Sequence, residues 1–504
     1  MDWDRLKLRL RWPSKRTLGY CGLFALGSLP AWAANYPPLQ DLPFHLAAMR
    51  VLAEFSNPAA GLSTVFQLNL LHTPYAATHT LGALLSFFLP FEWVRGILLS
   101  LYLGGTPVSL AWLAKNLGND ERVALLSVPL LCNAMFIYGF LPFVLGLPLM
   151  FWGLAETIRY SRSPSWRRGV FIAVLAVTLY YTHLLPLAIF GLGVACVMKW
   201  NQSPKKLAIA VLPFVPAVGL IVYWVTQAQF GQDSVGALGN QGAAPLNQAI
   251  SVLPSWSFDV FRDTSDELVF ILLVALAGVA FALSRSDPPR AKKLARGYAF
   301  LPIICGVFYF STGEYLGATW LFAQRFPVPG LFAMVPLIPV PGGARGWLVF
   351  VLALGLAGYS SQNVSDHFES FEQNEVGGID DAIAQMEPYK RVAGLIYDRG
   401  SMTVHHAPFL HFVSYYQAKH AGVVQFSYAH STHWPFYYRE GQFPPPGGPP
   451  ILRWEWMPER VSMSELHPYY DYVLVRGRGF RPPPNKFELL WEDQRWQVYR
   501  RIDS

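Results

Sequence analysis

Charge is what this sequence has least of. Asp, Glu, Lys and Arg make up 14% of its 504 residues against 53% hydrophobic ones, where a soluble domain carries about a quarter charged residues. That shortage excludes an ordinary soluble enzyme. Apolar runs of about twenty residues recur between 17 and 361, each long enough to cross a hydrocarbon core about 30 Å thick. Cysteine is scarce too. Cys21, Cys132, Cys196 and Cys305 all sit in apolar segments without CxxC spacing, so neither a zinc site nor a disulfide framework is expected. A Walker loop, a GxSxG elbow, a dinucleotide fingerprint and an H-E-x-x-H helix are all missing. The formal net charge of +7 is not a nucleic-acid signature, because much of the Lys and Arg falls in short loops between apolar runs, where it sets membrane orientation.

What is present, then, is an α-helical multi-pass membrane protein. Lys7, Arg9, Arg11, Lys15 and Arg16 place the N-terminus in the cytoplasm. "AWAAN" after the first apolar stretch imitates a signal-peptide cleavage site, but the many later spans favour a retained first helix over 17–35. Four further loops are basic: 159–168, 199–206, 284–297 and 342–345. All are expected on the cytoplasmic side, so the chain must cross an even number of times between them. The apolar run 169–199 is too long for one helix and is expected to break at "YTHLLP", residues 181–186. Residues 122–158 are expected to form two spans turning near 138–142. Spans near 207–227 and 268–284 enclose an external loop, 228–267, and spans near 298–311 and 321–341 enclose "STGEYLGATW". Counting 75–90 as a crossing would invert every later loop, so it reads as an interfacial or re-entrant helix in a first external region, 36–95. With a last span over 347–361, about eleven transmembrane helices result.

Beyond 361 the composition changes, and residues 362–504 read as an extracytoplasmic α/β domain. "GIDDAIAQMEPYKRV" reads as a helix. "AGLIYD", "AGVVQFSYA", "YDYVLVRG" and "KFELLWEDQRWQVYRRI" read as strands between Gly and Pro turns. "HHAPFLHF" and "YAHSTHWPFYYRE" are rich in histidine without a known metal-ligand spacing, and Trp434, Tyr437 and Tyr438 offer stacking faces that core packing would equally use.

The residues with chemical potential begin in "PLQDLPFHLAAMR", residues 38–50. Asp41 and His45 lie one helical turn apart, followed by an apolar stripe and the Arg50/Glu54 pair, which reads as an amphipathic helix on the outer membrane surface. Spacing alone favours Asp41 as an N-cap carboxylate. An ionisable group at the exit of a first span is nonetheless a functional candidate.

A first span, an external helix opening with an acidic residue, further spans and an external C-terminal domain together resemble the GT-C superfamily of membrane glycosyltransferases. The likeness is to its bacterial polyprenyl-phosphate-sugar-dependent members, related to protein mannosyltransferases and aminoarabinose transferases. It covers roughly 17–361 by layout. It implies a transmembrane GT-C-like catalytic domain over 1–361, in the bacterial cytoplasmic (inner) membrane, with Asp41 as the catalytic base. It implies a lipid-linked sugar as donor and a glycan, lipid or protein as acceptor. No second acidic residue adjoins Asp41, so need for a divalent metal stays open and no metal ligand is assigned. The resemblance points to an Arg in a late external segment for the donor phosphate, and Arg325 in "LFAQRFPVPG" matches. Glu314 stands nearby, as an ion-pair partner of Arg325 or a lining group. His183 at the external turn, with His72, His79 and His45 in the first external region, are further candidates for contact with donor or acceptor. Two alternatives stand beside the enzyme: a transporter or flippase for lipid or glycan, and a non-catalytic protein of envelope assembly in which Asp41 is only a cap.

Overall fold

The computed structural model describes residues 14–227, 242–284, 293–316, 319–430, 434–445 and 453–502. The first basic residues through Arg11, most of the basic loop 284–297 and part of the loop 228–267 lie outside these. Helix α1 (Lys15–Ser28) starts at Ser14, whose hydroxyl accepts the N–H of Thr17. Then come α2 (Leu42–Ala53), a one-turn α3 (Leu62–Val65), α4 (Ala76–Ser86), and α5 (Phe91–Leu103) continuing into α6 (Gly105–Leu117). A single turn, α7 (Ala134–Ile137), leads to α8 (Leu141–Arg162), followed by α9 (Trp166–Thr182) and α10 (Leu184–Val197). Among the described residues, five helical stretches are long and apolar enough to cross a membrane: Phe91–Leu117, Leu141–Arg162, Pro204–Thr226, Ser265–Ser284 and Gly343–Val376. The protein is a helical membrane protein in which shorter apolar helices pack among these.

The break expected within 169–199 falls at His183. Its extended backbone (φ −169°, ψ 132°) ends α9, and its Nδ1 accepts the N–H of Leu185 to start α10. Helix α4 has 11 residues, about 16 Å at 1.5 Å per residue, too short for a 30 Å core. Three expectations need correction. Helix α2 does not lie on the membrane surface, because nine of its twelve residues are buried and it packs between α4 and a later helix, Ser414–His420. The first expected span of 122–158 is a ten-residue 3-10 segment, Glu121–Leu130, carrying Pro129. The expected span 321–341 holds only an eight-residue helix, Pro327–Met334, between 3-10 turns; prolines at 327, 329, 336 and 339 deny the ladder its N–H donors.

The expected strands form in part, with "AGVVQFSYA" supplying only Val423–Val424. A five-stranded sheet runs in the order β3 (Val423–Val424), β2 (Arg391–Ile396), β5 (Tyr472–Arg476), β7 (Trp496–Arg501), β6 (Phe487–Glu492), parallel across the first three and antiparallel beyond. The expected helix near 379 shortens to Ile379–Ala384. The helix Gly343–Phe371 runs through residue 361 without a break, and the core is continuous from Ala31 to Val498. A second contact ties the two ends of the chain together: β1 (Phe66–Leu68) pairs antiparallel with β4 (Phe436–Tyr438).

The segment before α2 is held by the loop that starts α8. Gln40 N–H donates to the Ile137 carbonyl and Asp41 N–H to that of Tyr138, both at 3.0 Å. Gly139 sits between them at φ +77°, and a Cβ there would stand 2.7 Å from the Asp41 nitrogen. Backbone approaches this closely, in the left-handed region, only without a side chain. Gly139→Ala is therefore expected to destabilise the protein by at least about 1–3 kcal/mol, read as a lowered melting temperature in detergent. An unchanged melting temperature would show that this approach is not a tight one.

Candidate functional site

Asp41 occupies the N-cap position of α2, yet its carboxylate makes no capping hydrogen bond. It turns instead toward the C-terminal part of the chain. Oδ1 lies 3.3 Å from Nε2 of His411, whose Nδ1 lies 2.5 Å from Oε1 of Glu455. The three side chains are 6%, 5% and 2% exposed, so this carboxylate–imidazole–carboxylate row is a buried one. Gln40 adds a longer contact to Oδ1 at 3.4 Å. Phe44 packs edge-on to His411, and Phe426 stacks on it at 5.1 Å between centroids, which fixes the ring plane. Burial favours the neutral ring, but the charge of Glu455 and the close contacts with both carboxylates outweigh it and raise His411 to about 9. Burial likewise raises Glu455, against the pull of His411.

The 138–142 loop also meets Arg325, which stands beside His183. The Arg325 guanidinium lies over the Phe140 ring at 4.4 Å, and its Nη1 is 3.0 Å from His183 Nε2. Because His183 Nδ1 accepts the Leu185 N–H, the ring proton of a neutral His183 belongs on Nε2. Two donors thus face one another, an arrangement suited to sharing one anionic oxygen. Arg325 Nη2 also reaches the Trp320 carbonyl at 3.3 Å, while its Nε is buried without a partner among the described residues. The Tyr75 ring stands edge-on to His183 at 4.9 Å. Asp41, Tyr75 and Tyr428 all lie within electrostatic reach of Arg325. Acidic and cationic groups thus converge from five separate stretches of chain.

The other predicted residues distribute unevenly. His45 and His79 form a pair, Nδ1 to Nε2 at 3.0 Å, with His79 Nδ1 on the Tyr75 carbonyl and Trp434 against both rings. Burial lowers both, His79 to about 4. Exposed His72 contacts the Tyr223 hydroxyl at 2.7 Å, away from Asp41. Glu314 accepts from the Trp320 indole at 2.6 Å and so meets Arg325 only through Trp320. The sequence reading missed His411, Glu455 and Tyr428. His411 lies inside "HHAPFLHF", and a search for metal spacing passes over an imidazole whose partners are carboxylates elsewhere in the chain. One group with potential metal-ligating oxygens exists among the described residues, Asp259, Asp266 and Glu267. There Asp266 Oδ2 accepts the N–H groups of Val260 and Phe261, a loop-folding role.

His411 has a measurable consequence. Its folded-state value is raised above the usual 6.5 of an unfolded histidine. The stability it contributes is therefore complete below about pH 6.5 and lost as pH rises through about 9. The melting temperature in detergent should fall over that window, and His411→Gln should flatten the fall. A wild-type profile level from pH 6.5 to 9 would disprove the ion pair.

Comparison by sequence gives nothing: no protein-family model and no curated protein matches the chain. Comparison of folds does. The structure of ArnT from Cupriavidus metallidurans, in the apo state, superposes with a TM-score of 0.57 at 12% identity, over 96% of this chain and 98% of that one. At that identity the likeness is one of fold, and the chain shares the ArnT fold along essentially its whole length.

Proposed function

We propose that this protein is a membrane glycosyltransferase of the GT-C type. It moves a sugar from a polyprenyl-phosphate-linked donor onto an acceptor at the external face of the bacterial inner membrane. The observation that carries the reading is a buried, non-capping carboxylate, Asp41, and the Arg325–His183 pair meeting at the same 138–142 loop, in a chain with the ArnT fold.

Asp41 takes the proton from the acceptor nucleophile as that atom forms its bond to the anomeric carbon. The bond from that carbon to the phosphate oxygen breaks, and the departing phosphate keeps the electron pair. Arg325 meets the charge that develops there, and the His183 Nε2–H adds a second donor. His411 is a positioning residue: held between Asp41 and Glu455, it keeps the Asp41 carboxylate aimed. In this arrangement base and phosphate grip both adjoin the 138–142 loop, and the sugar lies between them. Residues 1–361 carry the membrane-embedded part and 362–504 the external one, with the C-terminal segment supplying His411 and Glu455.

The test is mass spectrometry of envelope glycans and glycolipids from a deletion strain, complemented at equal expression. Wild type should restore one missing sugar, and Asp41→Asn should reduce transfer by about 10²–10⁴-fold. Arg325→Ala should cost about 10²–10³-fold and weaken donor retention. If Asp41→Asn complements within tenfold, Asp41 is not the base. If deletion removes no sugar, the transporter or assembly reading replaces the enzyme.

A further inference from the structure

Helix α8 starts beside the candidate site at Leu141 and ends at Arg162. Its 22 residues span about 33 Å at 1.5 Å each, the thickness of a hydrocarbon core. At the far end, α6, α8 and α9 enclose an open cavity of about 490 Å³, within the size range of ligand pockets. Its walls carry Trp112, Trp152 and Phe171 together with Arg159, Arg167 and Arg168. The transfer chemistry uses none of them.

The charges divide into an internal and an outward-facing set. Buried Glu156 accepts from the Trp112 indole at 2.8 Å and from Arg159 at 2.8 and 3.0 Å, so one carboxylate fixes both in place. Arg159 also lies over the Trp112 ring at 5.0 Å. Arg167 and Arg168 are left with no carboxylate partner among the described residues. Arg168 donates to the Ser163 carbonyl at 2.9 Å, and Arg167 lies over Trp166 at 5.5 Å. The cavity therefore has two uncompensated guanidinium groups at its mouth. Trp152, Val170, Phe171 and Val174 are large apolar groups exposed on the surface of α8 and α9, and Trp152 and Phe171 line the cavity with the arginines. Guanidinium groups beside an aromatic and aliphatic wall suit the headgroup and acyl chain of a lipid.

We propose that this cavity binds one anionic phospholipid of the leaflet opposite Asp41. Arg167 and Arg168 grip its phosphate, and the upper acyl chain lies along Trp152 and Phe171. A guanidinium fork matches phosphate oxygens in two-point hydrogen bonding, and a zwitterionic headgroup cancels part of that attraction. Free phosphate fits the arginines but leaves the aromatic wall uncovered, so the apolar lining selects a lipid. The assignment does not depend on the transferase reading.

The experiment is native mass spectrometry of the full chain in detergent. It is titrated with phosphatidylglycerol, with phosphatidylcholine of the same acyl chains, or with inorganic phosphate. Wild type should retain one phosphatidylglycerol at least about fivefold more tightly than phosphatidylcholine, the factor expected for about one arginine at a membrane surface. Arg167→Gln should reduce that preference, and the pair Arg167→Gln/Arg168→Gln should abolish it. Arg167 is exposed and makes no hydrogen bond within the fold among the described residues, so the single variant keeps the test valid if the double variant is unstable. Equal retention of the two lipids, a preference that survives both variants, or displacement of phosphatidylglycerol by millimolar phosphate would each overturn the proposal.

Discussion

A buried carboxylate needs a buried cation, and much of this structure follows from how Asp41 obtains one. Stripping a carboxylate of water costs several kcal/mol unless a partner meets it with good geometry. His411 is that partner, and it comes from the far end of the chain. To bring it there, the C-terminal segment must dock on the first loop. It does so through the β1–β4 pairing, the packing of α2 against Ser414–His420, and the bond of the Tyr36 hydroxyl to Asp380. Glu455 then holds the opposite edge of the ring. Removing the imidazole would leave two carboxylates facing each other in an apolar surround.

The cationic side of the site is governed by a different constraint, the backbone of residues 138–142. That loop pairs with residues 40 and 41 and lays Phe140 under Arg325. Gly139 permits the close approach. One short loop thus contacts both residues, Asp41 through main chain and Arg325 through the Phe140 ring. His183 achieves the same economy at the break between α9 and α10, where it caps the second helix with one nitrogen and faces Arg325 with the other.

Several parts of this could be read in advance because their causes are local. The α9–α10 break follows from an apolar run too long for one helix with a polar residue and Pro186 near its middle. The strands of 391–501 follow from apolar alternation between turn residues. Asp41, Arg325 and His183 stood out because ionisable groups are rare among apolar neighbours. The α2 surface position failed for the opposite reason. A helix with an apolar stripe can lie on lipid or be enclosed by protein, and Phe44, His45 and Met49 carry no mark of which. The 3-10 segment 121–130 and the broken helix at 327–334 also escaped, since hydropathy registers the apolar run while proline and tertiary packing decide its backbone.

By itself the sequence determined that the chain enters a membrane, that its apolar run breaks near His183, which segment forms a sheet, and that Asp41 and Arg325 are expensive residues to keep. These are consequences of composition and short-range sterics. Only the tertiary structure decided what Asp41 does with its charge. N-cap position, residue type and the following Pro43 all favoured a cap, yet the carboxylate turned to His411 instead. The reason is long-range electrostatics in a dry interior: an ion pair between distant segments outweighs a local hydrogen bond to backbone, and nothing in either segment alone announces its partner.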